Sequence, residues 1–137
     1  DEGQGDAVRA AIAAAGLGER LTWAGPVDSA GAARWMAESD VYVLPSVHEP
    51  YPMSVLEAMS AGLPVVVTDT CGLAPTVART GSGAVVDDTQ PPLEDALAQL
   101  IADPERRRRA GRAAADTIAR EYGMRAVVEK LLGAYRD

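Results

Sequence analysis

The chain has 137 residues, of which 47% are hydrophobic, and a formal net charge of −7 at pH 7. That length suits one compact domain with a buried core, and an acidic chain whose only lysine is Lys130 offers no broad basic face for nucleic acid. Cys71 is the only cysteine, which excludes an internal disulfide and favours a reducing, cytoplasmic compartment.

The first third of the sequence predicts a helix, a strand and a second helix. An amphipathic stretch over residues 6–15 favours the first helix. Leu21–Ala24 predicts a strand, and Asp28 or Ser29 is placed to cap the helix that follows. Trp35 lies in that second helix, and we expect its ring to pack in the core, as we do for Trp23.

Three further apolar runs predict strands connected by helices. These runs are Val41–Leu44, Pro64–Thr68 and Ala84–Val86. The middle run is apolar throughout, which is typical of a parallel strand covered on both faces. A helix is expected from about Met53 to Ala61, and residues 91–136 are expected to be helical. The order predicts an α/β fold, a Rossmann-like parallel sheet with flanking helices.

The loop after the Val41–Leu44 strand holds the candidate site, because ligands of such sheets bind at the carboxyl ends of the strands. Glu49 lies there, where two neighbouring prolines stiffen the backbone. Glu57 follows on the next helix. The start of that helix, near Met53, offers unpaired amide donors and the positive end of a dipole, which suits a phosphate group. The sequence therefore predicts amides for phosphate and carboxylates for hydroxyls.

Ser46 and the pair Glu49-x7-Glu57 lie within LPSVHEPYPMSVLEAMSAGLPVVVTD. This segment resembles the signature of family 4 glycosyltransferases, which are retaining enzymes with two Rossmann-like domains, the GT-B fold. The resemblance extends over about residues 21–87. It implies that residues 1–137 are a partial C-terminal domain, which binds a nucleotide-diphosphate sugar as a substrate and not as a cofactor. A sugar would pass to an acceptor alcohol with retention of configuration.

The resemblance also assigns roles to single residues. Glu57 takes the place of the acid that hydrogen-bonds the ribose, and a carboxylate accepts two hydroxyl donors well. Glu49 takes the place of the acid that contacts the donor sugar near its anomeric carbon, so it is the catalytic candidate. The residues expected to approach the sugar and the diphosphate are Tyr51, Met53, Ser54, Val55 and Leu56. Thr76 stands where the family usually has an acid.

The family's phosphate-binding Gly-Arg loop and lysine have no counterpart in this sequence. The chain opens at Asp1-Glu2-Gly3, which resembles the end of the family's second strand, so the domain is expected to be N-terminally truncated. The acceptor domain would also be missing, and the chain alone is expected to be inactive. Leu21–Ala24 and Val41–Leu44 would then not be neighbours in the sheet. Either the omitted segments complete the sheet, or the chain pairs with another copy as a swapped homodimer.

Other functions remain as alternatives. The chain would also fit a non-catalytic Rossmann-like module that binds a nucleotide or regulates another protein. A dinucleotide site is disfavoured because no Gly-x-Gly-x-x-Gly follows a strand, and Lys130 lacks the surroundings of a pyridoxal-phosphate lysine. No metal is expected, since His, Cys and acids do not cluster at ligand spacing, and the lone His48 is interpreted as incidental. With no long apolar run, any membrane contact of the parent enzyme would be peripheral.

Overall fold

The structure is a computed structural model that describes residues 3–135. Asp1 and Glu2, on which the comparison with the family's second strand depends, lie outside the described residues. The chain divides into two compact units, residues 1–32 and residues 33–137. Each unit is described by itself.

The first unit contains helix α1 (Gly5–Ala14) and the start of helix α2 (Ser29–Glu38). The predicted cap of α2 is present, because Asp28 Oδ1 accepts a hydrogen bond from the Gly31 N–H at 2.7 Å. The predicted strand at Leu21–Ala24 is wrong, since these residues adopt no regular secondary structure. The Leu21 N–H donates to the Leu17 carbonyl at 2.8 Å, so a local turn takes the donor that a sheet neighbour would need.

The tryptophans are also not where the sequence predicts. Trp23 is 37% exposed and Trp35 is 48% exposed, so the prediction that both rings pack in the core is wrong. Helix α2 buries none of its residues, which explains why a large apolar side chain on it stays half exposed. An indole ring tolerates such a position because it combines an apolar body with a polar N–H.

The second unit contains a parallel sheet of three strands in the order β1-β2-β3. The strands are β1 (Tyr42–Leu44), β2 (Val65–Thr68) and β3 (Gly83–Val86). They lie within a residue of the last three predicted runs. All four residues of the central strand are buried, as its continuous apolar sequence predicts. The α/β fold class with a parallel sheet and flanking helices is confirmed.

Helices connect the strands and form the rest of the second unit. They are α3 (Met53–Ser60), α4 (Ala74–Thr80), α5 (Gln90–Ala102), α6 (Pro104–Thr117) and α7 (Met124–Ala134), with a π-helical turn at Ile118–Tyr122 between the last two. Helix α6 begins with a capped turn, because Asp103 Oδ1 accepts a hydrogen bond from the Arg106 N–H at 2.9 Å. None of the helices within residues 3–135 is long and apolar enough to cross a membrane.

The core of the second unit joins α3 to the sheet. Its fully buried members are Val55, Ala58, Met59, Val65, Val67, Val77 and Ala114. Helix α6 approaches the turn after α3 so closely that a Cβ on Gly111 would lie 2.3 Å from the Gly62 carbonyl oxygen. Only glycine fits there. This packing fixes which side of α3 faces the core and which side faces outward.

Candidate functional site

Three strand-to-helix loops follow the carboxyl ends of the strands at one edge of the sheet. They are the β1–α3 loop (residues 45–52), the β2–α4 loop (residues 69–73) and the β3–α5 loop (residues 87–89). This edge is where ligands bind in doubly wound α/β domains. A cleft of about 200 Å³ opens there. It is lined by Leu44, Pro45, Val67, Thr68, Val86, Asp87, Asp88, Thr89, Gln90 and Leu93.

The cleft does not contain the two acids that the sequence singles out. It lies between the β1 end and the β3–α5 loop, whereas Glu49 and Glu57 lie in the β1–α3 loop and on α3. This cleft is not among the predictions from the sequence. The sequence feature that points to it is the pair Asp87-Asp88, which follows the last apolar run at the ligand edge of a parallel sheet.

Helix α3 presents Glu57 to the outside. Val55, Ala58 and Met59 are fully buried, so the opposite face carries Met53, which is 57% exposed, and Glu57, four residues further on. Side chains of a helix lean toward its N-terminus. The Glu57 carboxylate is therefore carried toward the first turn of α3.

The first turn of α3 has unused amide donors. The Val55 and Leu56 N–H groups both donate to the Pro52 carbonyl, at 3.1 and 3.4 Å. The N–H groups of Met53 and Ser54 make no hydrogen bond to any residue that the structure describes. Of the amides that the sequence predicts for the phosphates, those of Tyr51, Met53 and Ser54 have no described partner, and the last two lie at the positive end of the helix.

Glu49 lies in the β1–α3 loop and is half-buried. Its carbonyl accepts a hydrogen bond from the Gly72 N–H at 2.8 Å. Within residues 3–135 the carboxylates of Glu49 and Glu57 make no hydrogen bond and no ion pair. A Cβ on Gly72 would lie 1.8 Å from the Pro50 carbonyl oxygen, so only glycine lets the two loops approach this closely.

His48 has a left-handed backbone with φ of 59°. A left-handed conformation is unfavourable for a side chain with a Cβ by roughly 1–2 kcal/mol, so surrounding contacts must hold it. The His48 N–H donates to Thr70 Oγ1 at 3.1 Å. The His48 backbone therefore turns the chain just before Glu49.

Asp87 behaves differently from the two glutamates. Its carboxylate accepts hydrogen bonds from the Thr89 hydroxyl and from the Thr89 N–H, the latter at 2.9 Å. These hydrogen bonds hold the pKa of the Asp87 carboxyl below its ordinary value. The carboxylate thus closes the turn that leads into α5.

One further position bears on the predictions from the sequence. Thr76, where an acid is usual, has its hydroxyl 3.2 Å from the Tyr122 hydroxyl and so links α4 to the π-helical turn.

Across the described part of the chain, no three His, Cys, Asp or Glu side chains lie together as a metal centre would require.

Comparisons with known proteins agree on one family. The family model described as glycosyl transferases group 1 matches residues 1–117. The D-inositol 3-phosphate glycosyltransferase of Paenarthrobacter aurescens (strain TC1) is 36% identical over 124 residues, which cover 90% of this chain and 30% of that protein. The alpha-D-kanosaminyltransferase of Streptomyces kanamyceticus is 32% identical over 127 residues, covering 92% of this chain and 33% of that protein.

A solved structure shows the same fold. The sucrose-phosphate synthase of Thermosynechococcus elongatus superposes with a TM-score of 0.82 at 27% sequence identity. The match covers 94% of this chain and 33% of that one. The chain therefore spans about a third of the length of the relatives that it matches.

Proposed function

The chain belongs to the group 1 glycosyltransferases, and we propose that it is the donor-binding half of a retaining, metal-independent enzyme. The donor would be a nucleoside-diphosphate sugar and the acceptor an alcohol. Because the chain spans about a third of its relatives, the acceptor domain would be supplied by another part of the parent protein. A cytoplasmic location belongs to the same proposal, on the ground that Cys71 is a buried free thiol.

The observation that carries the proposal is the first turn of α3. Two amides without a described partner, those of Met53 and Ser54, lie at the positive end of the helix. Glu57 leans toward the same turn from the exposed face, and Glu49 lies in the loop that precedes the helix. A nucleoside-diphosphate sugar carries, in this order, ribose hydroxyls, a diphosphate and sugar hydroxyls. The Glu57 carboxylate, the two amides and the Glu49 carboxylate offer matching hydrogen-bond partners in the same order.

Each group has a defined task in the proposed reaction. The Glu57 carboxylate accepts hydrogen bonds from the ribose hydroxyls, and the Met53 and Ser54 amides donate to the diphosphate. When the bond between the anomeric carbon and the diphosphate breaks, the helix dipole stabilises the negative charge that leaves. The Glu49 carboxylate stabilises the positive charge that develops on the sugar. Helix dipole and amides thus take the place of a metal ion.

Titration and turnover in the intact protein test the proposal. Calorimetry with UDP, GDP and ADP should show binding of one of them, and the matching nucleotide sugar should release its sugar to an alcohol acceptor with EDTA present. NMR of the product should show the donor's anomeric configuration. Binding without turnover would favour the non-catalytic module, and a total loss of turnover in EDTA would contradict metal independence.

A matched pair of variants ties the result to α3. Glu57→Gln should weaken nucleotide binding, whereas Asp95→Asn, which alters an exposed acid on α5, should leave it unchanged. The isolated chain is expected to show no transferase activity, because acceptor binding lies outside it. An equal loss of nucleotide affinity in Glu57→Gln and Asp95→Asn would show that general surface charge, and not Glu57, supports binding.

A further inference from the structure

Three hydrogen bonds tie the β1–α3 loop to the end of β2 and the β2–α4 loop. The pairs are Ser46 with Thr68, His48 with Thr70, and Glu49 with Gly72, at 2.5, 3.1 and 2.8 Å. Each uses a backbone group of the β1–α3 loop. The connection therefore continues beyond the last hydrogen-bonded pair of the two strands, with threonine hydroxyls taking part where the backbone pairing has ended.

The direction of these hydrogen bonds is determined by chemistry. The His48 N–H can only donate, and the Ser46 carbonyl can only accept. Thr68 Oγ1 gives its one proton to Ser46, so in the 3.2 Å contact between the two hydroxyls Thr70 is the donor. The result is a directed series from His48 through Thr70 and Thr68 to Ser46. Both hydroxyl protons are used.

Burial separates the two threonines. Thr68 is 2% exposed, whereas Thr70 and His48 are exposed. Water can partly replace a lost hydrogen bond at Thr70. At Thr68 the loss of the hydroxyl would leave the half-buried Ser46 carbonyl without its donor.

We propose that Thr68, supported by Thr70, is a positioning residue that sets the Glu49 carboxylate against the donor sugar. The inference rests on the role of Glu49 in the proposed function. The left-handed turn at His48 is unfavourable by itself, and the series of hydrogen bonds holds the His48 N–H and the Ser46 carbonyl that precedes it. Without the Thr68 hydroxyl, the turn relaxes and Glu49 moves away from the reacting centre.

Kinetics of the intact protein, with UDP-glucose and GDP-mannose as probe donors, test this inference. Thr68→Val removes the hydroxyl with little change of shape. It should lower kcat about tenfold and change the donor KM less than twofold, because a small displacement of a catalytic group mainly affects turnover. Thr68→Ser keeps the hydroxyl and should restore kcat. Wild-type kcat in Thr68→Val, or no rescue by Thr68→Ser, would overturn the proposal.

A second threonine provides the control. Thr117 is 5% exposed, and its hydroxyl donates to the Ala113 carbonyl at 2.7 Å within α6. Thr117→Val therefore removes a comparable buried hydroxyl away from the loops and should leave kcat unchanged. If it lowers kcat as much as Thr68→Val does, the effect is one of general stability and the proposal fails.

A double variant separates this inference from the proposed function. In a Glu49→Ala background, Thr68→Val should have no further effect on kcat, and full additivity would overturn the inference. If Glu49→Ala itself keeps wild-type turnover, the role of Glu49 has failed. If Glu49→Ala loses turnover while Thr68→Val does not, only the positioning role has failed. Should Thr68→Val not fold, Thr70→Val on the exposed residue should lower kcat about two- to threefold, and an unchanged kcat there would overturn the proposal.

Discussion

The β1–α3 loop and the β3–α5 loop both follow a parallel strand at the same edge of the sheet, and both carry an acid. In the first, neighbouring residues fix the backbone around Glu49 and its carboxylate has no partner among the described residues. In the second, the Asp87 carboxylate accepts two hydrogen bonds from Thr89 within the same turn. An acid on a rigid backbone with a free carboxylate is ready for a ligand, and an acid that closes its own turn is structural.

The largest expected effect is that of removing the Glu49 carboxylate. In the intact protein, Glu49→Ala should lower turnover about 10²- to 10³-fold, the loss typical of one group that stabilises transition-state charge. Nucleotide affinity should change much less, because the proposed contacts of Glu57 to the ribose and of the α3 amides to the diphosphate remain. Steady-state kinetics and calorimetry measure the two quantities. A variant that loses nucleotide affinity and keeps turnover would reverse the assigned roles.

The close approach of the two loops around Glu49 is tested by Gly72→Ala. The new Cβ would lie 1.8 Å from the Pro50 carbonyl oxygen, so the loops must separate. We expect a loss of about 3 kcal/mol in the free energy of unfolding, at the upper end of typical overpacking, together with reduced turnover. Gly133→Ala on α7 is the control, because a Cβ there meets nothing within 4 Å. Equal stability of both variants in denaturant unfolding would contradict the close contact.

Glu57→Ala should weaken binding of the nucleotide by about 1–3 kcal/mol, the loss expected for a charged hydrogen-bond acceptor. Calorimetry with UDP and 2′-deoxy-UDP sharpens this test if UDP is the nucleotide bound. The protein with Glu57 should prefer UDP, and the variant should bind both alike, because the ribose hydroxyl has lost its acceptor. A retained preference for UDP would show that another group hydrogen-bonds the ribose 2′-hydroxyl.

Local patterns in the sequence predicted most of the sheet and its helices. The buried run at Val65–Thr68 and the cap at Asp28 depend on a few adjacent residues, and both agree with the structure. Leu21–Ala24 failed because a short apolar run does not reveal whether a strand neighbour exists to take its N–H groups. In the structure the Leu21 N–H donates to the Leu17 carbonyl within a turn, and no strong sequence pattern predicts that turn.

The candidate site was predictable in its residue types and only partly in its geometry. The prolines, the helix start and the two acids are visible in the sequence. The pairing of Thr68 and Thr70 with Ser46 and His48 spans 22 positions, and only the parallel register brings these residues together. Likewise, the sequence does not show that Leu56 donates its N–H to Pro52 and so leaves the set of free amides.

The smallest expected effect is that of Asp87→Asn, which tests the structural side of the comparison. The hydrogen bonds from Thr89 depress the pKa of Asp87 in the folded state, so the stability that they add is present above the ordinary carboxyl pKa. It is lost as the pH falls through the depressed value. At pH 7 the variant should melt about one or two degrees lower than wild type, a small shift because the carboxylate is solvent-exposed. The difference between the variant and wild type should disappear in acid.

Turnover of Asp87→Asn should stay at the wild-type level, because the carboxylate is engaged in its own turn. A fall in turnover like that of Glu49→Ala would place Asp87 in the donor site and remove the distinction between the two loops.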